Sequence, residues 1–214
     1  MTPLAMVKTR GVGRALAGLS LAATLSACIT LLPKEHPVQL YRFGATEVAG
    51  PATGAALPPF TVRAAVESFD HASAGDKLLT VTGDATAYMA DARWVTSAQS
   101  LFEAAMIDRL GASGGPARVL GRTELAPADY RLDVSVRRFE VNYTSPRSAP
   151  PEVEVEIDAS MDSAGASPSR REARFEARTA ATENTVHAIV SAYSQSVSKV
   201  LAKLAAWVNA KGAA

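Results

Sequence analysis

Residues 152–161 read EVEVEIDASM, and residues 172–178 read EARFEAR. In the first stretch Val153, Val155, Ile157, Ala159 and Met161 alternate with Glu152, Glu154, Glu156, Asp158 and Ser160. In the second, Ala173, Phe175 and Ala177 alternate with Arg174, Glu176 and Arg178. A period of two belongs to a strand with one face on a core and the other toward water. Residues 162–169, DSAGASPS, supply the turn between them. The pattern predicts an antiparallel hairpin with Ile157 beside Phe175 on its apolar face. On the charged face it places Asp158 beside Arg174 and Glu154 beside Arg178.

Upstream, Tyr130, Leu132, Val134 and Val136 alternate, and then the apolar positions become odd-numbered at Phe139, Val141 and Tyr143. A one-residue slip inside a continuous strand is what a β-bulge absorbs, so a bulge is expected near Arg137 and Arg138. Further extended segments are expected at 40–43, from Phe60 to Val66, and at 77–82, 86–95 and 118–121. A first helix is expected to open on a capping box of Thr96 and Gln99 and to stop at Gly111. Its face carries Ala98, Leu101, Phe102, Ala105, Met106 and Leu110. A final helix is expected over 185–209. Its apolar residues Val186, Val190, Tyr193, Val197, Val200, Leu204 and Trp207 recur at alternating steps of four and three. That spacing also suits a coiled coil, but Ile189, Leu201 and Val208 widen the stripe and favour a sheet as its partner. The expected fold is α+β: a two-layer sandwich of one mainly antiparallel sheet with both helices on one face.

The N-terminus is built differently. Lys8, Arg10 and Arg14 precede eleven uncharged residues, ALAGLSLAATL (15–25), then Ser26, Ala27 and Cys28. A basic region, a short apolar run and a small-residue exit form the layout of a secretory signal peptide. The run falls short of the roughly 20 apolar residues that a membrane-spanning helix needs. Cys28 is the single cysteine of the 214 residues. A free cysteine is often just a small buried hydrophobe, but residues 25–28, LSAC, resemble the bacterial lipobox. That resemblance implies cleavage before Cys28, lipid on its sulfur and acylation of its new amino group. The chain then divides into a cleaved signal peptide (1–27), an acylated N-terminus and tether (28–37) and one domain (38–214). Ile29 stands where an aspartate retains enteric lipoproteins in the inner membrane, so the expected location is the outer membrane, facing the periplasm.

Removing residues 1–27 takes away three bases and no acids, leaving 187 residues with a formal charge of −2. Such a balance gives no case for nucleic acid, which needs a concentrated basic surface. His36, His71 and His187 show no spacing that would hold a metal with a second ligand, and no cofactor is expected. Residues 111–115, GASGG, lack the Lys-Ser/Thr of a phosphate loop. No Gly-x-Ser-x-Gly elbow is present, so a hydrolase has no nucleophile–base pair to offer. The carboxylate row from Glu152 to Asp158 could serve a metal or acid–base chemistry. Its plainer reading is a solvated face balanced by Arg174 and Arg178. Arg93 and Trp94 stand directly before the first helix. The tryptophan could plug the core, or the pair could bind a partner, since both residue types are common interface anchors.

Four blocks resemble one family. They are LYRF (40–43), the segment 76–110 with its Ala-Arg-Trp before an amphipathic helix, DYRLDVSVRRFEV (129–141), and the long C-terminal helix with Trp207 near its end. Their order is similar to that of the ABC-type transport auxiliary lipoproteins. The resemblance implies a non-enzymatic component of an MCE-type lipid transport system, anchored through Cys28 and meeting a periplasmic MCE-domain protein. It also implies a homo-oligomeric ring. The alternative reading is a stand-alone envelope lipoprotein that binds a small apolar ligand or steadies an outer-membrane protein.

Overall fold

The computed structural model describes residues 38–44, 58–121, 123–144, 149–164 and 169–212. The signal peptide, Cys28, the tether and His36 lie outside the described residues. Along the chain run β1 (Gln39–Tyr41), β2 (Phe60–Phe69), β3 (Lys77–Thr82), β4 (Ala85–Trp94), α1 (Ala98–Gly111), β5 (Ala117–Val119), β6 (Tyr130–Asn142), β7 (Glu152–Ser163), β8 (Arg170–Ala180) and α2 (Val186–Gly212). The class is α+β, and the second helix is the long one.

β6 organises the sheet. One edge pairs antiparallel with β7 from Tyr130↔Ser163 to Asn142↔Glu152, and β7 pairs antiparallel with β8. The other edge carries two strands in succession. β2 runs parallel along Tyr130–Val136, and β3 runs parallel at Val141 and Asn142. The sheet therefore forks: β2 leads on to β5, and β3 leads through the β3–β4 hairpin to β1. The sheet is mixed. Its two longest ladders, β6/β7 and β7/β8, are antiparallel, and four parallel ladders, β1/β4, β2/β5, β2/β6 and β3/β6, join the rest.

The expected hairpin register holds: Ile157 faces Phe175, Asp158 faces Arg174 and Glu154 faces Arg178. The bulge holds too, as a register shift between Val136 and Arg138. It leaves Arg137 and Arg138 both exposed and returns Phe139 to the core. There Phe139 packs against Tyr193 at 4.8 Å, Phe43 at 5.1 Å and Phe69 at 5.4 Å between ring centroids. α2 lies on β7 and β8, burying Ile189, Tyr193, Val197, Val200, Leu204 and Val208. Sheet packing is thus the structural reason for its wide apolar stripe. α1 packs on β2, β5 and α2, and both helices bury into one hydrophobic cluster with the sheet.

Strand and helix ends differ from expectation by one to three residues, β2 for example running on to Phe69, and the start of α1 differs in its cap. The N-cap of α1 is Ser97, whose Oγ accepts from Ser100 N–H, in place of Thr96. β4 ends at Trp94, but Val95 N–H still donates to Tyr41 C=O at 2.8 Å, so the helix can open only after it. The glycine-rich stretch after α1 is a packing joint. Asn209 of α2 accepts from Ala117 N–H and lies where a side chain on Gly115 would collide with it.

Candidate functional site

Arg93 and Trp94 end β4, where β1 joins it in parallel with Leu40↔Arg93 and Tyr41↔Trp94. Alternation sends the two side chains to opposite faces. Trp94 turns inward and is 2% exposed. Its indole meets Phe43 at 4.9 Å and Tyr193 at 5.1 Å, both nearly perpendicular, and its backbone N–H donates to Asp76 C=O at 2.7 Å. Arg93 turns outward and pairs with Asp76 at 3.3 Å. The corner thus has a packed ring beneath and one half-exposed cation above. Just before it β4 is irregular. Its pairing with β3 shifts between Lys77 and Leu79, and Asp91 there adopts φ 55°, a conformation that non-glycine residues rarely take.

The second candidate is the charged face of β6, β7 and β8. The carboxylate row is not a freely solvated face, because Glu154 is only 2% exposed. Arg138 from β6 and Arg178 from β8 each donate to its Oε1 at 3.0 Å, and Asn142 donates to Oε2 at 2.9 Å. The two arginines remain half-exposed while their guanidinium groups bind the buried carboxylate. Arg174 reaches Glu156 at 3.2 Å and Asp158 at 2.7 Å, and Arg137 donates to Asp158 at 2.8 Å. Sequence reasoning placed Arg174 and Arg178 here but missed Arg137 and Arg138. The signal lay in the phase slip, since a bulge lets two consecutive residues face outward together. Toward the start of β6 this face hollows into a cavity of about 500 Å³. It is lined mostly by charged and hydroxyl side chains, among them Asp133, Ser135, Arg137, Asp158, Ser160 and Arg174.

The hydrogen bond from Arg174, with help from Arg137, holds the Asp158 carboxyl below its usual range. Burial first, and then the facing Glu154, pushes the Glu140 carboxyl up. A depressed carboxyl stabilises the fold above its unfolded pKa, about 3.9 for aspartate, and that stabilisation is lost as pH falls through the folded value. Asp158→Asn is therefore expected to cost about 0.5–1 kcal/mol at pH 7. The difference from wild type should shrink toward zero at acid pH, once pH has fallen through the depressed folded value. Urea titrations at neutral and at acid pH measure it, and an equal gap at both would remove the ion pairs as its cause.

His71 lies exposed in a turn and His187 is exposed on α2. Among the described residues no group of three or more His, Cys, Asp or Glu is placed to hold a metal ion, and no helix is long and apolar enough to cross a membrane.

In structure the chain is similar to protein XCC0632 from Xanthomonas campestris. The TM-score is 0.71 at 18% identity, covering 81% of this chain and 96% of that one. An uncharacterized protein is similar at a TM-score of 0.62 and 12% identity, covering 81% and 99%. At such identities the likeness concerns the fold alone. No curated protein matches the sequence. The family model described as the ABC-type transport auxiliary lipoprotein component matches residues 72–205, a span from the turn before β3 into α2. That span is more than half of the chain, and the protein belongs to the ABC-type transport auxiliary lipoprotein family.

Proposed function

We propose that the chain works as an outer-membrane lipoprotein, acylated at Cys28 and facing the periplasm. Its task is to dock an MCE-type ABC phospholipid transport system without catalysing a reaction itself. Family membership over residues 72–205 carries this reading, and residues 25–28 supply the anchor that such a role needs. Its partners are the periplasmic MCE-domain protein of the transporter and further copies of the chain arranged as a ring. The contact is assigned to the Arg93–Trp94 corner, where Trp94 sets the backbone and Arg93 presents the charge. The cavity on the charged face does not suit an apolar ligand, which is one of the two tasks that the stand-alone alternative allows.

Affinity purification from detergent-solubilised membranes tests the reading directly. An MCE-domain protein should co-purify with the chain. Recovery of an outer-membrane protein alone would support the alternative instead. At residue level, Arg93→Ala removes a half-exposed ion pair worth about 0–1 kcal/mol to the monomer. An interface anchor, by contrast, costs about 2 kcal/mol or more in binding. Light scattering should therefore show weakened assembly while the melting curve by circular dichroism barely moves. Assembly that is unchanged in Arg93→Ala would take this residue out of the interface.

A further inference from the structure

β1 is the sheet strand nearest the tether, and its outward face is apolar. Tyr41 and Phe43 turn toward the core, whereas Val38, Leu40 and Arg42 alternate outward. Val38 is 46% exposed and Leu40 is 63% exposed. Val95, which bonds Tyr41 through its backbone, adds a third apolar side chain at 45%. Arg93 is held over on the β3 side by Asp76, leaving Arg42 as the cation at the foot of the patch. Exposed Leu and Val beside an arginine match the boundary between acyl chains and phosphates.

The length of the preceding chain points to what covers this patch. Ile29, Leu31 and Leu32 follow the anchor cysteine directly, and acylation would hold them at the same interface. Residues 33–37, PKEHP, are then the remaining spacer. From Leu32 to Val38 is six residue steps, at most about 22 Å when fully extended. With Leu32 held at the interface, Val38 lies within that distance of the lipid, and the patch begins at Val38.

We propose that Val38, Leu40, Val95 and Arg42 seat the domain on the bilayer that anchors it, against anionic lipid, so that the tether fixes an orientation in place of acting as a free leash. The inference rests on the acylated-anchor reading above, and its test is made independent of that reading. The chain beginning at Cys28 keeps the compact unit Val38–Ala214 intact. Its single thiol can be coupled to a maleimide lipid in vesicles of phosphatidylcholine and phosphatidylglycerol, so the anchor is supplied chemically. The probe is Leu40→Trp, with Leu125→Trp as the reference; Leu125 is 97% exposed in the connection after β5, at the other end of the sheet order. The two native tryptophans are subtracted using the unsubstituted coupled chain.

Lipids brominated on their acyl chains should quench at least half of the emission added at position 40 and almost none at 125. Adding Arg42→Glu to Leu40→Trp should cut that quenching at least twofold. Because a new tryptophan can itself seek the interface, amide exchange at 38–42 is read in the coupled chain with Leu40 intact. It should slow at least fivefold on vesicles relative to the same chain capped with a soluble maleimide, and Leu40→Asp should abolish the slowing. Quenching at 40 no greater than at 125, or unchanged exchange with Leu40 intact, overturns the seat. Failure of Cys28 to be acylated in cells would leave these results standing and would instead remove the anchor.

Discussion

Trp94→Ala is expected to destabilise the domain by about 3–5 kcal/mol, the range for removing a large aromatic side chain from a core. The indole is 2% exposed and stands at a junction. It lies beneath the β1–β4 pairing at Tyr41↔Trp94, between Phe43 of the following segment and Tyr193 of α2. Little can collapse into the space it leaves, because these neighbours come from separate elements. Its Nε1 has no hydrogen-bond partner, so the loss is one of packing. Trp94→Phe sheds that unpaired donor along with some volume and should cost less, about 1–2 kcal/mol. For a domain of this size each kcal/mol moves the melting midpoint by about 2–4 °C, which puts the alanine variant about 6–20 °C lower. Urea unfolding should show a lower midpoint at an unchanged slope. A change below about 1 kcal/mol would mean that the ring is not locked between β1 and α2.

Cys28→Ser is expected to move the protein from the membrane to the soluble fraction, or to leave it as unprocessed precursor. Each buried methylene of an acyl chain contributes about 0.8 kcal/mol, and one chain alone binds only marginally. In the proposed anchor, diacylation through the sulfur depends wholly on this residue, and the chain has no second cysteine to take its place. The seat on β1 is too small to hold the domain alone, so fractionation after a salt wash should find almost no variant in the outer membrane. Processing at the same site together with retention there would refute the lipobox reading, and mass measurement of the mature N-terminus decides between the outcomes.

The β7–β8 hairpin and its register were legible because each strand has its partner nearby in the chain and alternates strictly, so pattern and register coincide; the pairing of β6 with β7 was not read. The bulge was legible because a phase slip leaves a trace in the residues themselves. The parallel ladders left no such trace. Val62↔Tyr130 and Gln39↔Ala92 join segments separated by other elements, and alternation states which face is buried but not which strand lies beside it. The burial of Glu154 was hidden for a related reason. Its parity assigns it to the charged face, and only the meeting of Arg138, Arg178 and Asn142 above it, from two strands, takes it out of water. At the Arg93–Trp94 corner the sequence offered a plug and an anchor as alternatives, and alternation assigns the two residues to opposite faces. Cys28 lies outside the described residues and was read from its neighbours alone.

The fork at β6 also sets an order of assembly. β6, β7 and β8 are joined by hairpin connections and can zip together soon after they are made. β2 must wait: its side-chain bond from Thr61 to Asp129 closes a separation of 68 residues. Loops of that length close at an entropic cost before any contact repays it, and such pairings slow folding. A chain emerging N-terminus first therefore presents β1 to β5 with only the β3–β4 hairpin able to form between immediate neighbours. The apolar face of the later hairpins stays bare until α2, the last element, closes over it. The slow step of refolding should accordingly be the capture of β2 by a preformed β6–β8 unit, and the interval before it is when this chain is most open to aggregation.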